Sequence, residues 1–198
     1  MSEMKKQLLG VVLDNSAALP KEKLAALMSG FRHLLTQAEN FPMLDWELLT
    51  FDGFAPAVAK SFEQNEIQPV RAGGMPLVGR ALECAAERLL TRAKETQTPY
   101  RPWLILLSAG FCFDEPAAAV ARLEGEEQLI YLPFRLGTAI HNERMQAADR
   151  IKRMIAIKED GIDGFFAFLE TLLTRRTQGG EDTALKFRKN DFEGWGEL

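Results

Sequence analysis

Trp103-Leu104-Ile105-Leu106-Leu107-Ser108-Ala109-Gly110 is the stretch on which the fold turns. Five consecutive apolar residues leave no polar side, so this strand has to be covered on both faces, as a central parallel strand is. Ser108-Ala109-Gly110 closes it. Immediately upstream, Thr96 to Pro102 is polar and carries two prolines, which makes it a connection. Before that connection, Val78, Ala81, Leu82, Ala85, Leu89 and Leu90 recur at helical spacing and predict a helix running to about Lys94. The helix opens from the loop Arg71-Ala72-Gly73-Gly74-Met75-Pro76. Further upstream, Gln7 to Leu13 is a short apolar run that suits a strand buried on both faces. Leu24, Leu27, Met28, Phe31, Leu34 and Leu35 then predict an amphipathic helix over 20–38, with Pro20 in its first turn. Trp46 to Phe51 is a third strand. Asp52-Gly53 is a turn, and Ala57 to Phe62 returns antiparallel, with Lys60 and Glu63 suited to a sheet edge.

Downstream the alternation continues. Glu115–Leu123 reads as a helix, Leu129–Phe134 as a strand and Asn142–Lys152 as a helix. Met154–Ile157 reads as a short edge strand. Ile162–Leu173 is a last helix that buries Phe165, Phe166, Leu169, Leu172 and Leu173. Strand and helix in strict alternation predict an α/β fold: three layers, doubly wound, with a mostly parallel sheet and one antiparallel edge strand. The expected domain covers residues 1–176. Residues 177–198 read as a linker, Thr177-Gln178-Gly179-Gly180-Glu181-Asp182, and an aromatic tail holding Phe187, Phe192, Trp195 and Leu198. The fourteen residues from Leu185 to Leu198 cannot form a core alone. The tail is therefore expected to pack on its own domain, on a second copy of the chain, or on a partner.

Composition narrows the chemistry. The chain has 198 residues, 46% hydrophobic and 26% charged, which is an ordinary globular balance. The net charge of -4 supplies no basic field for nucleic acid or an anionic membrane. The basic stretch from Arg135 to Lys158 forms no clean helical stripe, lacks interleaved aromatic residues and reads as a solvated face. The apolar run after the N-terminal Met1-Ser2-Glu3 is too short for a signal peptide, and no segment reaches the length of a membrane span, so a cytoplasmic location is expected. Two cysteines and two histidines lie scattered, which leaves oxygen as the only ligand type for a metal. Cys84 is expected to be a buried small apolar residue and Cys112 to be half exposed. No His, Lys or Arg lies next to Cys112 in sequence to activate it. His33 and His141 have no spacing partners.

Ligands of open α/β sheets bind outside the carboxyl ends of the strands. Three loops meet that condition: Leu13-Asp14-Asn15-Ser16-Ala17-Ala18, Gly73-Gly74-Met75-Pro76, and Leu107-Ser108-Ala109-Gly110. The second is neither a Walker loop, since no Gly-Lys-Ser/Thr follows, nor a dinucleotide fingerprint. Taken in order with the hairpin after Phe51 and the closing Phe165-Phe166 helix, the three loops resemble a von Willebrand factor A-type, Rossmann-like domain. The resemblance lies nearest the small bacterial TerY-type proteins associated with tellurite resistance, and covers roughly Gln7 to Leu173. It implies a metal-ion-dependent adhesion site, in which a first loop Asp-x-Ser-x-Ser, a Thr from the second loop and an Asp from the third hold a divalent cation, usually magnesium. Here Asp14 and Ser16 match. The second Ser position is Ala18, the Thr position falls on Met75 or Pro76, and the third-loop Asp position is Ala109.

Two of five oxygen side chains poorly offset the dehydration of magnesium. The expectation is a degenerate site with no metal or other cofactor, Asp14 and Ser16 being vestigial. The expected function is non-catalytic protein–protein interaction, in a bacterial stress or tellurite-resistance-type setting implied by the resemblance. Asp14, Asn15, Ser16, Gly74, Met75 and Ser108 form the expected partner surface. Two alternatives stand beside it: a magnesium-dependent adhesion module using Asp14 and Ser16, and a phosphatase-like enzyme with Asp14 as nucleophile and Ser108 on phosphate.

Overall fold

The computed structural model describes residues 6–37, 39–53, 55–178 and 189–197. Phe187 and Leu198 of the tail lie outside the described residues. The elements follow in the expected alternation: β1 (Gln7–Asp14), α1 (Lys21–Thr36), β2 (Leu44–Phe51), β3 (Ala57–Lys60), α2 (Val78–Thr96), β4 (Trp103–Ser108), α3 (Pro116–Glu124), β5 (Ile130–Leu136), α4 (Glu143–Ile151), β6 (Ile155–Ile157), α5 (Ile162–Thr177), a 3-10 turn (Lys189–Phe192) and β7 (Gly196–Glu197).

The strands form one sheet in the order β3-β2-β1-β4-β5-β6-β7. β1 lies between β2 and β4 and runs parallel to both, and all eight of its residues are buried. Its alternating side chains feed two cores. Leu9, Val11 and Leu13 pack with Leu27, Phe31, Phe165 and Leu169 of α1 and α5 on one face. Leu8 and Val12 pack with Leu82, Ala85, Val120 and Met145 of α2, α3 and α4 on the other. A strand buried on both faces has no place for a polar alternation, which is why β1 and β4 read as unbroken apolar runs.

β3 is the expected antiparallel edge strand beside β2. Its Lys60 is not a solvated edge charge. It is buried, and its ammonium lies 4.6 Å from the Trp46 ring centroid and donates to the Trp46 and Ser61 carbonyls at 2.6 and 3.1 Å. The aliphatic stem covers apolar surface while backbone carbonyls satisfy the head group. At the opposite end, β6 is not an edge. β7 adds to it antiparallel through Ala156↔Glu197 and Ile157↔Gly196. The described part of the tail therefore packs on its own domain, with Phe192 and Trp195 buried in the α1/α5 core. No helix among the described residues is long and apolar enough to cross a membrane.

The path from β1 to β2 moves one way along the sheet, and the path from β3 through α2 to β4 crosses to the other side of β1. The strand order thus reverses between β1 and β4, so the carboxyl ends of these two strands form the switch point of the sheet.

Candidate functional site

Asp14 is the last residue of β1 and Ser108 the last of β4. Both are fully buried. Asp14 Oδ1 accepts from the Ser16 N–H at 2.9 Å, and Oδ2 accepts from the Ala109 N–H at 2.9 Å. One carboxylate thus ties its own turn to the end of the neighbouring strand. Burial pushes the carboxyl above its usual range, and the hydrogen bonds from Ser16 and Ala109 only partly offset that. Ser16 Oγ accepts from the Ala18 N–H at 3.3 Å, which turns the chain toward α1. Ser108 Oγ is taken up locally by the Gly110 N–H at 3.1 Å.

Asn15 does not face solvent. Its Nδ2 donates to Asp52 Oδ2 at 3.1 Å and to the Arg71 carbonyl at 2.9 Å, and its own carbonyl accepts from the Gly73 N–H at 2.8 Å. The Met75 N–H donates to the Asp52 carbonyl at 2.8 Å. Asp52, read in the sequence only as half of a turn, is therefore the post on which the 71–76 loop hangs. Gly74 sits at φ +69, and a Cβ there would come within 1.4 Å of the Asp52 carbonyl oxygen, so only glycine fits.

The residues assigned to the partner surface divide into two layers. Asp14, Asn15, Ser16 and Ser108 are buried, while Gly74 and Met75 are exposed, together with Ala17 and Ala18. Sequence reasoning missed Phe113. It is 46% exposed, stands edge-to-face with Phe111 at 5.0 Å, and its N–H donates to the Pro76 carbonyl at 2.8 Å. That bond sets the Phe113 loop beside the Met75 loop. The only sequence signal was a Phe111-Cys112-Phe113 run directly after the strongest strand. Arg144 braces this loop by donating to the Phe113 carbonyl and pairing with Glu115 at 2.8 Å. Asn142 caps α4 by accepting from the Met145 N–H at 3.1 Å and donates to the Cys112 carbonyl.

The cysteine expectations are reversed. Cys112 is fully buried and Cys84 only partly so. Cys112 lies four residues beyond the end of β4 and packs in the core, and burial pushes its thiol up to about 12, far from a reactive thiolate. His33 lies on the exposed face of α1, 3.9 Å from Glu170, and His141 is exposed in the loop before α4. In the basic stretch, Lys152 pairs with Glu124 at 3.2 Å.

A magnesium ion needs about six oxygen ligands in octahedral array. At this switch point Asp14 is already held by two backbone donors, Ser16 Oγ by a third, and Ala18, Met75 and Ala109 offer no side-chain oxygen. No group of three His, Cys, Asp or Glu side chains among the described residues is placed to hold an ion. The residues present do not fit the cation that the family resemblance implies.

No known family profile and no curated protein sequence matches the chain. Solved structures do. The VWA domain of SpRpn10 superposes with a TM-score of 0.57 at 12% identity, over 83% of this chain and 95% of that one. The manganese-loaded TRAP protein of Plasmodium vivax superposes with a TM-score of 0.56 at 12% identity, over 74% of this chain and 62% of that one. At such identity the likeness concerns architecture, and with the strand order and the switch point already described it establishes that this chain has the von Willebrand factor A-type fold.

Proposed function

We propose that the chain is a non-catalytic protein–protein interaction module that docks a protein partner on the exposed rim above β1 and β4 without a bridging metal ion. The observation that carries this reading is the engagement of both Asp14 oxygens by backbone N–H groups beneath a rim of Met75 and Phe113. In a metal-bridged face the ion and an open coordination position supply the binding energy. Here that role passes to exposed apolar side chains on loops tied to each other by backbone hydrogen bonds, which suits docking by packing. The likeness to an Rpn10 VWA domain supports an interaction role in general terms. A cytoplasmic bacterial setting of the stress or tellurite-resistance type belongs to the same proposal, as does a partner other than nucleic acid or membrane.

The phosphatase alternative asks Asp14 to attack phosphorus. A fully buried carboxylate with each oxygen hydrogen-bonded to backbone is poorly placed for that. Hydrolysis of a generic phosphate ester, lost in Asp14→Ala, would revive it.

The test is affinity capture from the native organism with wild type, Met75→Glu and Phe113→Glu, each with magnesium and with chelator. Both substitutions lie on exposed side chains and should shift stability by no more than about 0.5 kcal/mol. A specific partner should be lost with either substitution and retained in chelator. Capture that survives both substitutions, or that needs magnesium, contradicts the proposal.

A further inference from the structure

The edge of the sheet at β2 is only half paired. β1 pairs with all eight residues of β2, from Leu44 to Phe51, whereas β3 reaches only Leu48, Leu49 and Thr50 on the other side. Among the described residues no strand pairs with Leu44–Glu47 on the side away from β1. An unpaired strand edge is a template for another chain, because its N–H and C=O groups are spaced to receive a strand. The Trp46 carbonyl belongs to this open stretch, and the Lys60 ammonium meets it at 2.6 Å. The C=O and N–H of one residue point to the same side of an extended strand, so Trp46 presents both groups outward.

Lys60 is the last residue of β3 and pairs with Leu48, so its ammonium stands where the β3 ladder would have continued along β2. The side chain is seated closely. Lys60 is 3% exposed, its ammonium lies over the Trp46 ring, and a second bond goes to the Ser61 carbonyl. Burial lowers the ammonium from its usual range, and the carboxylates of Asp45, Glu47 and Glu63 partly offset that. An incoming strand has to donate its own N–H to the Trp46 carbonyl. That takes the carbonyl from the ammonium and leaves a buried charge short of an acceptor, which is unfavourable. Three further features work in the same direction. The β2–β3 register shifts between Leu48 and Leu49, and Pro56 stands directly before β3. On the outer side of β3, the Gln68 N–H donates to the Ala59 carbonyl at 2.8 Å, but Pro69 follows and has no N–H to extend a ladder. Bulges, prolines and inward-pointing charges are the means by which sheets blunt their edges.

We propose that Lys60 is a plug on an otherwise adhesive strand edge, and that the partner it excludes is the same edge of a second copy of the chain. Two copies of Leu44–Glu47 brought together about a two-fold axis run antiparallel, and each supplies the donors and acceptors that the other lacks. The carboxylates in that stretch, Asp45 and Glu47, are already paired with Arg92 and Arg88 of α2. Repulsion between them is therefore a weak barrier to such pairing, and the barrier falls to Lys60. The plugged edge is independent of the Met75 and Phe113 rim. It closes the sheet to association and leaves the rim as the surface open to a partner.

The experiment compares full-length wild type with Lys60→Met, which keeps an unbranched stem and removes the charge and its donors. Sedimentation at rising concentration should show the variant associating with itself at least about tenfold more tightly than wild type. Hydrogen exchange locates the contact. The Trp46 amide should become more protected as the variant is concentrated, and should not respond to concentration in wild type. A folded Lys60→Met chain that associates no more tightly than wild type overturns the proposal. So does tighter association that leaves exchange at the Trp46 amide unchanged. Where Lys60→Met does not fold, Lys60→Gln takes its place, since its amide still offers N–H donors without the charge, and the same two outcomes decide.

Discussion

Asp14 carries the account at the scale of a residue. Each of its carboxylate oxygens accepts a backbone N–H, from Ser16 and from Ala109. Asp14→Ala leaves the buried N–H groups of Ser16 and Ala109 unpaired, at about 1–3 kcal/mol each. Urea unfolding should show a loss of about 2–6 kcal/mol with no dependence on added magnesium. The pH response follows from the raised carboxyl. Its folded value lies above the unfolded 3.8, so between the two the native state holds the proton more tightly. Stability from this site is therefore present below pH 3.8 and is lost as pH rises through the folded value. Relative to Asp14→Asn, wild type should gain stability as pH falls from 7 toward 4. A bound divalent cation would favour the ionised form and reverse the slope. Asp14 and its loop were legible in the sequence, but its burial was not. What hides it is the Ala109 N–H, 95 residues away, and no local pattern encodes that meeting.

At the scale of the element, the contact between β2 and α2 is decided by a charge pair. Glu47 is fully buried, and Arg88 Nε and Nη2 both donate to its Oε2, at 3.0 and 2.8 Å. Burial raises the Glu47 carboxyl, with Arg88 pulling the other way. Arg88→Ala strands a buried carboxylate. The cost should be about 2–3 kcal/mol, at the low end for a broken buried pair because the Arg88 side chain is itself 39% exposed and water can follow. Thermal unfolding should show Glu47→Gln/Arg88→Met recovering most of that loss, whereas a double variant as unstable as Arg88→Ala would contradict the assignment. The elements differed in how far they could be read. Unbroken apolar runs betrayed β1 and β4, and helical spacing betrayed α1, α2 and α5. Two residues, Gly196 and Glu197, hold no periodicity at all, so β7 had no signature and β6 read as an edge. Lys60 read as an edge charge because a sequence cannot tell that the Trp46 and Ser61 carbonyls await it.

For the whole molecule, the sheet order sets the chemistry available. The reversal between β1 and β4 brings three loops from distant parts of the chain to one end of the sheet, and hydrogen bonds through Asn15, Asp52 and Asp14 tie them together. The fold was readable as a succession of patterns. The face it presents was only half readable, because Met75 lay in a glycine loop that drew attention and Phe113 lay in a turn that did not. The central claim is that this frame works without the ion of the family it resembles. Calorimetric titration of the full chain with magnesium and with manganese tests it most directly. The account predicts no saturable heat up to millimolar ion for wild type and for Asp14→Ala alike. Micromolar binding by wild type that disappears in Asp14→Ala would contradict it.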